Sequence, residues 1–297
     1  MLIQERTARD EPAPGPVRGV APEALRLRRW VERLAVPRHI VRNTCGNAWV
    51  RRELVGALQA CGLEVQLQGR FGNVVALPRS PWDSAISSPL TLIAAHYDSV
   101  PDCPGADDDA SGVAALLECA RVLAAGPSRP VGFVVFNAEE EQLAGSRDFV
   151  AHGLGAIPGG VEAVHVLEMV GFRAAGAPAE ALPLPWTPAL LEVPDYVALL
   201  ARGPSNAILR RAARSRAAPG LRVVSARTWG PLHRLFPDLS RSDHFPFWEA
   251  GIGAVLWTDT GNFRNPNYHR PSDVPDTLDY AFMREITELL CAVVSER

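Results

Sequence analysis

The chain has 297 residues, 47% of them hydrophobic and 21% charged, with a formal net charge of −3, which is ordinary for a globular protein with ample material for a core. All 30 basic residues are arginine and are outnumbered by 33 acidic ones, so no basic surplus exists to neutralise a phosphate backbone, and nucleic acid is excluded as a partner. No run of about 18 apolar residues occurs, so no membrane-spanning helix is expected. The cysteines Cys45, Cys61, Cys103, Cys119 and Cys291 are odd in number and scattered, and they read as reduced structural thiols.

The opening MLIQERTARDEPAPGPVRGV is rich in Pro and Arg and has no apolar stretch suited to a secretory signal. Residues 1–20 therefore read as a disordered or loosely attached leader, with a single domain over 21–297 and the cytoplasm as the default compartment. Helices are expected from Pro22 to Leu34, with Leu25, Leu27, Trp30, Val31 and Leu34 inward, and from Asn47 to Ala60, stopped by Gly62. Leu63–Gln68 alternates apolar and polar residues, and it pairs as a hairpin with Gly72–Leu77. Leu90–Ala95 (LTLIAA) is an unbroken apolar run of the kind buried in a parallel sheet, and it ends at His96-Tyr97-Asp98-Ser99. After a Pro- and Gly-bearing loop come Asp107-Asp108-Asp109, then a helix from Ser111 to Ala125. Val131–Phe136 is a second buried strand, ending at Glu139-Glu140-Glu141, and Ala163–Leu167 is a third, ending at Glu168. Residues 173–195 read as an Ala/Pro-rich insertion bordering the site. Further strands are expected at Tyr196–Leu200, from Val223, and at Ala254–Trp257, with a helix from Ser205 to Ala217 and a closing amphipathic helix from Tyr280 to Ser295. The alternation of strands and helices predicts an α/β three-layer sandwich around a mixed, mostly parallel sheet.

Three apolar strands each deliver a His or carboxylate at their carboxyl end, where open α/β sheets gather ligands. Three adjacent Asp residues repel one another unless a cation or a helix N-terminus offsets them, and a divalent metal shared with His96 would account for both features. His96, one Asp of 107–109, one Glu of 139–141, Glu168 and one later His together make a mixed imidazole and carboxylate set. That set suits two divalent ions sharing a carboxylate, zinc before cobalt or manganese. Asp98, two residues after His96, is placed to accept the free imidazole N–H, and Asp273 to do the same for His269.

His96-Tyr97-Asp98-Ser99, Gly105-Ala106-Asp107-Asp108-Asp109-Ala110-Ser111-Gly112, Ala138-Glu139-Glu140, Leu143-Ala144-Gly145-Ser146, Leu167-Glu168-Met169, Ser242-Asp243-His244 and Tyr268-His269 resemble, in order, the motifs of the M28 family of zinc metallopeptidases. The resemblance covers residues 35–297 and implies a zinc exopeptidase-like (phosphorylase/hydrolase-like) catalytic domain holding two zinc ions. It implies His96 and Glu168 on one ion, Glu140 and His269 on the other, Asp107 bridging, and a cis peptide between Asp107 and Asp108. Glu139 would be the general base that takes a proton from metal-bound water, and Tyr268 would donate to the tetrahedral oxyanion. Asp108 and Asp109 would hydrogen-bond the helix start, Asp243 would assist a substrate amine or make a structural hydrogen bond, His244 would support the site, and Glu141 would be solvated.

The function implied is cleavage of an N-terminal peptide bond, with a peptide or small amide as substrate. The alternative is a zinc-dependent amidase, deacylase or glutaminyl-type cyclase acting on a small molecule or modified peptide. A non-catalytic metal-binding scaffold is disfavoured, because both the ligand set and the base are present.

Overall fold

A computed structural model describes residues 1–6, 20–79, 89–124, 131–174, 191–230 and 232–295. Its strands are β1 (Leu2–Glu5), β2 (Leu63–Gln68), β3 (Asn73–Pro78), β4 (Leu90–His96), β5 (Val131–Phe136), β6 (Val161–Leu167), β7 (Tyr196–Arg202), β8 (Arg222–Thr228) and β9 (Ala254–Thr258). Its helices are α1 (Ala24–Leu34), α2 (Thr44–Ala60), α3 (Gly112–Ala124), α4 (Ala144–Asp148), α5 (Asn206–Arg214), α6 (Leu232–Leu235), α7 (His244–Glu249) and α8 (Tyr280–Ser295).

The strands form one sheet in the order β1-β8-β7-β9-β6-β4-β5-β3-β2. Pairing is parallel along the central run β9-β6-β4-β5 and between β7 and β8. It is antiparallel at β1–β8, β7–β9, β5–β3 and β3–β2, so parallel pairing dominates only the centre. Every residue of β4 is buried, as its unbroken apolar run requires when both faces are covered. Ile93 and Ala95 face a core made with α1, α2, α3, α5 and α8; Leu92 and Ala94 face one made with Leu143, Phe149, Phe247 and Trp248. Each fully buried Leu or Ile contributes about 1.5–3 kcal/mol, so these two cores fix the sheet between its helical layers. In α8, Phe282, Ile286, Leu289, Leu290 and Val293 are all buried; in α1 Leu27, Val31 and Leu34 are buried and Trp30 packs partly buried against the same core, whereas Leu25 is 57% exposed.

The leader expectation needs correction at its start. Leu2–Glu5 adds an antiparallel edge strand to β8, with Ile3 opposite Ala226, and Arg6 donates to the carbonyls of Ala217, Ala218 and Leu221. Residues 7–19, and 175–190 of the expected insertion, lie outside the described residues. Among the described residues no helix is long and apolar enough to cross a membrane.

His165, in β6, is buried and accepts a hydrogen bond from Trp257 Nε1 at 3.1 Å through Nδ1. Burial, aided by Arg211, pushes its pKa down to about 3. Between that value and the ordinary histidine value of about 6.5, the unfolded chain binds a proton that the folded chain refuses, so stability falls as pH falls through this window. His165→Gln should flatten the urea-midpoint decline between about pH 6.5 and 4, removing a slope of up to about 1.4 kcal/mol per pH unit. Equal slopes in variant and wild type would show that His165 is not the group responsible.

Candidate metal centre and catalytic site

Four neighbouring parallel strands deliver the site. His96 ends β4, Glu139 and Glu140 follow β5, Glu168 follows β6, and His269 lies in the long loop after β9. Ala138, Met169 and His269 adopt the left-handed conformation at φ 59°, 49° and 57°, which non-glycine residues seldom do outside turns and functional sites. These turns aim the side chains back over the strand ends.

The side chains converge in two groups, His96 with Asp108 and Glu168, and Asp108 with Glu140 and His269; within each, one ligand atom per residue lies within 4.8 Å of the others. Asp108 belongs to both. Its Oδ1 is 3.2 Å from His96 Nε2 and its Oδ2 is 3.1 Å from His269 Nε2. Glu168 Oε1 is 3.6 Å from His96 Nε2, and Glu140 Oε2 is 3.3 Å from His269 Nε2. Both ring nitrogens of His96 and Oε1 of Glu140 are buried without a hydrogen-bond partner. A buried carboxylate array with orphaned imidazole nitrogens is what divalent cations satisfy, so the residues present fit a metal pair.

The expected bridging residue was Asp107; the carboxylate shared by the two groups is that of Asp108. Asp107 turns away, accepting from Gly171 N at 2.9 Å and Asn265 Nδ2 at 2.7 Å. Asp109 accepts from the backbone N–H groups of His96, Gly112 and Met169, which includes the helix-start bond expected of it. The cis peptide lies between Asp108 and Asp109, one bond later than expected. Asp273 does not orient His269; its two oxygens accept from Asp107 N and Asp108 N at 2.9 and 3.1 Å, tying down the turn that presents Asp108.

Asp98 sits with Oδ1 3.4 Å from His96 Nδ1, and its two oxygens accept from Glu139 N and Glu140 N. One carboxylate thus holds the backbone of both glutamates and stands within ion-pair distance of the imidazole. Asp243 is fully buried beside His96, does not line the cavity over the site, and is pushed by burial up to about 7. His244 lies outside both groups, its Nε2 3.0 Å from the Leu239 carbonyl. Glu141 pairs with His39 Nε2 at 2.9 Å while keeping half its surface exposed.

The electrostatics follow from crowding. Burial raises Glu140, and the Asp108 charge adds to this, pushing it up to about 7. Burial opposes the His269 imidazolium, but Asp108 and Glu140 outweigh it and lift that pKa to about 10. Burial raises Glu139 well above the ordinary carboxylate range, with Glu168, Asp243 and Glu140 adding to the shift and His96 opposing it. Tyr268 stacks on His269 with ring centroids 3.7 Å apart, and its hydroxyl accepts from Arg241 Nη2 at 3.0 Å. A cavity of about 540 Å³ opens above, bordered at this end by Asp108, Glu139, Glu140, Glu168, Tyr268 and His269.

The sequence matches the family model described as Peptidase family M28 over residues 74–184 and 195–294. The chain belongs to peptidase family M28. It is 33% identical over 232 residues to the uncharacterized protein YfbL of Escherichia coli, covering 74% of this chain and 69% of that protein. It is 32% identical over 211 residues to aminopeptidase YwaD of Bacillus subtilis, covering 70% of this chain but only 41% of the relative. Among solved structures, the LapA aminopeptidase of Legionella pneumophila shares the fold with a TM-score of 0.69 at 20% identity, over 92% of this chain and 72% of that one.

In this M28 peptidase, three further residues shape the site, of which only Arg38 lies outside the motifs singled out in the sequence. Arg38, in the loop between α1 and α2, is wholly buried and donates to the carbonyls of Tyr97, Pro104 and Gly105, gathering the chain between His96 and Asp108. Gly105, at φ 59°, passes so close that a Cβ there would lie 2.2 Å from the Asp108 carbonyl oxygen. Ser242 donates to Glu168 Oε2 at 2.8 Å, holding the carboxylate whose other oxygen faces His96. Ser242 belongs to a recognised motif, whereas an isolated Arg38 reads as surface charge.

Proposed function

We propose that this M28 peptidase is an aminopeptidase that works with two zinc ions, His96 and Glu168 on one, Glu140 and His269 on the other, and Asp108 shared. The observation that carries this reading is the pair of His–carboxylate groups meeting at the two oxygens of Asp108. When bound, the ions supply Lewis-acid polarisation of the scissile carbonyl and acidify the attacking water toward a pKa of about 7.

The chain's own residues do the rest. Glu139 stands outside both ligand groups, buried but bordering the cavity, and takes the proton from the attacking water before passing it to the departing amine. Tyr268 keeps its phenolic proton, because burial and the Asp108 charge raise its pKa. With its oxygen accepting from Arg241, its O–H is free to donate to the oxyanion that forms on the carbonyl. The peptide remainder leaves through the open side of the cavity.

Elemental analysis of the purified protein, with leucine anilide hydrolysis measured with and without chelator, tests this reading. About two zinc ions per chain and chelator-sensitive hydrolysis are expected. A metal-loaded protein that leaves anilides intact but acts on acylated amines or N-terminal Gln peptides would move the assignment to an amidase or cyclase.

A further inference from the structure

The cavity does not stop at the reacting groups. It runs on across the face of β9, β7, β8 and β1, and that face presents side chains in register: Leu256 opposite Leu200, Leu200 beside Ala226, and Ala226 opposite Ile3. A second row holds Thr258 opposite Ala198 and Ala198 beside Val224. The alanines lie between larger neighbours, so the floor is a trough. Strands stand about 4.8 Å apart, so the trough reaches about 14 Å from β9 to β1. No natural aliphatic side chain spans that distance.

A peptide does not suit this floor. The backbone groups of β7, β8 and β9 are already paired along the sheet, and in these two rows only Thr258 carries a polar group, a hydroxyl whose oxygen already accepts from Thr260 N at 3.0 Å. A peptide lying here would leave its own N–H and C=O groups unsatisfied, at a cost of several kcal/mol for each buried group. A hydrocarbon chain has nothing to satisfy.

We propose that this trough is the subsite for a long unbranched hydrocarbon chain on the residue whose amide is cleaved, with Ala198, Ala226 and Ile3 setting the length accepted. The substrate class is an aminoacyl amide carrying an aliphatic chain well beyond leucine in length. This deepens the aminopeptidase reading and rests on it for the reaction, although the trough itself can be read by binding alone.

The test uses the zinc-loaded full chain and anilides of alanine, leucine, 2-aminooctanoic acid and 2-aminodecanoic acid, together with calorimetric binding of free 2-aminodecanoic acid. Specificity (kcat/KM) should rise from alanine through 2-aminodecanoic acid, by up to about fourfold per methylene buried. The 2-aminodecanoyl to alanyl ratio should fall at least tenfold in Ala226→Leu and further in Ala198→Leu, which narrows the trough nearer the reacting groups. Ile3→Trp should trim only the longest chain. An optimum at leucine, with longer chains falling away and no calorimetric preference for 2-aminodecanoic acid over alanine, would overturn the trough and leave the aminopeptidase reading intact. Binding of 2-aminodecanoic acid that weakens in Ala198→Leu, with no anilide hydrolysed, would uphold the trough and overturn the reaction. Should either alanine variant fail to fold, the wild-type chain-length profile and binding decide the matter by themselves.

Discussion

Glu139→Gln should abolish turnover and leave the metal content at its wild-type value. The side chain is buried, borders the cavity and lies outside both ligand groups, so an isosteric amide disturbs neither group. Its backbone N–H stays bound to Asp98 Oδ1, which keeps the side chain where the carboxylate was. What the amide cannot do is accept a proton from water and return it to an amine. Loss of a positioned general base costs about 10²- to 10⁴-fold, or about 3 to 5.5 kcal/mol on the barrier. The drop should appear in kcat on leucine anilide, with KM changed far less. Wild-type kcat in the variant would remove Glu139 from the mechanism, and loss of metal would reassign it as a ligand.

Asp108→Asn should have the second large effect, on the metals themselves. Both oxygens of Asp108 face imidazole nitrogens, and an amide replaces one of them with a donor pointed at the site. Removing a group that merely supports a ligand costs about 10- to 100-fold in affinity or activity, so removing the shared carboxylate should cost at least a hundredfold in both. The matched control is Asp107→Asn. Asp107 is equally buried, but its oxygens serve Gly171 N and Asn265, so the effect on metal content should be small. Elemental analysis of both variants after dialysis decides between them. Retained metal in Asp108→Asn with loss in Asp107→Asn would return the shared role to Asp107.

That contrast shows where sequence reasoning stops. The strands β4, β5 and β6 are apolar runs with a His or Glu at the end, and hydrophobic patterning located both the strands and what they deliver. Asp107, Asp108 and Asp109 differ in nothing but position. Which of them faces the cavity depends on the turn between Gly105 and Gly112, and that turn is set by Asp273, Asn265 and Arg38 from distant parts of the chain. Spacing placed Asp273 four residues after His269, but the long loop carries its carboxylate to two backbone N–H groups instead. β1 escaped notice for another reason: four residues beside a Pro-rich stretch give too short an alternation to register, and their pairing partner lies more than 200 residues away.

Arg38 has a consequence for the metal-free protein. Burial lowers the pKa of its guanidinium, and the charges of Asp108, Asp273, Asp98 and Asp109 oppose that shift. A permanent internal cation therefore offsets part of the acidic cluster from within the polypeptide. Small zinc domains depend on the ion to fold at all, because binding free energy there is folding free energy. Here Arg38 gathers the loop between His96 and Asp108 through the carbonyls of Tyr97, Pro104 and Gly105, so chelator-treated protein is expected to keep a cooperative thermal transition; loss of that transition would show that an ion, not Arg38, holds the loop.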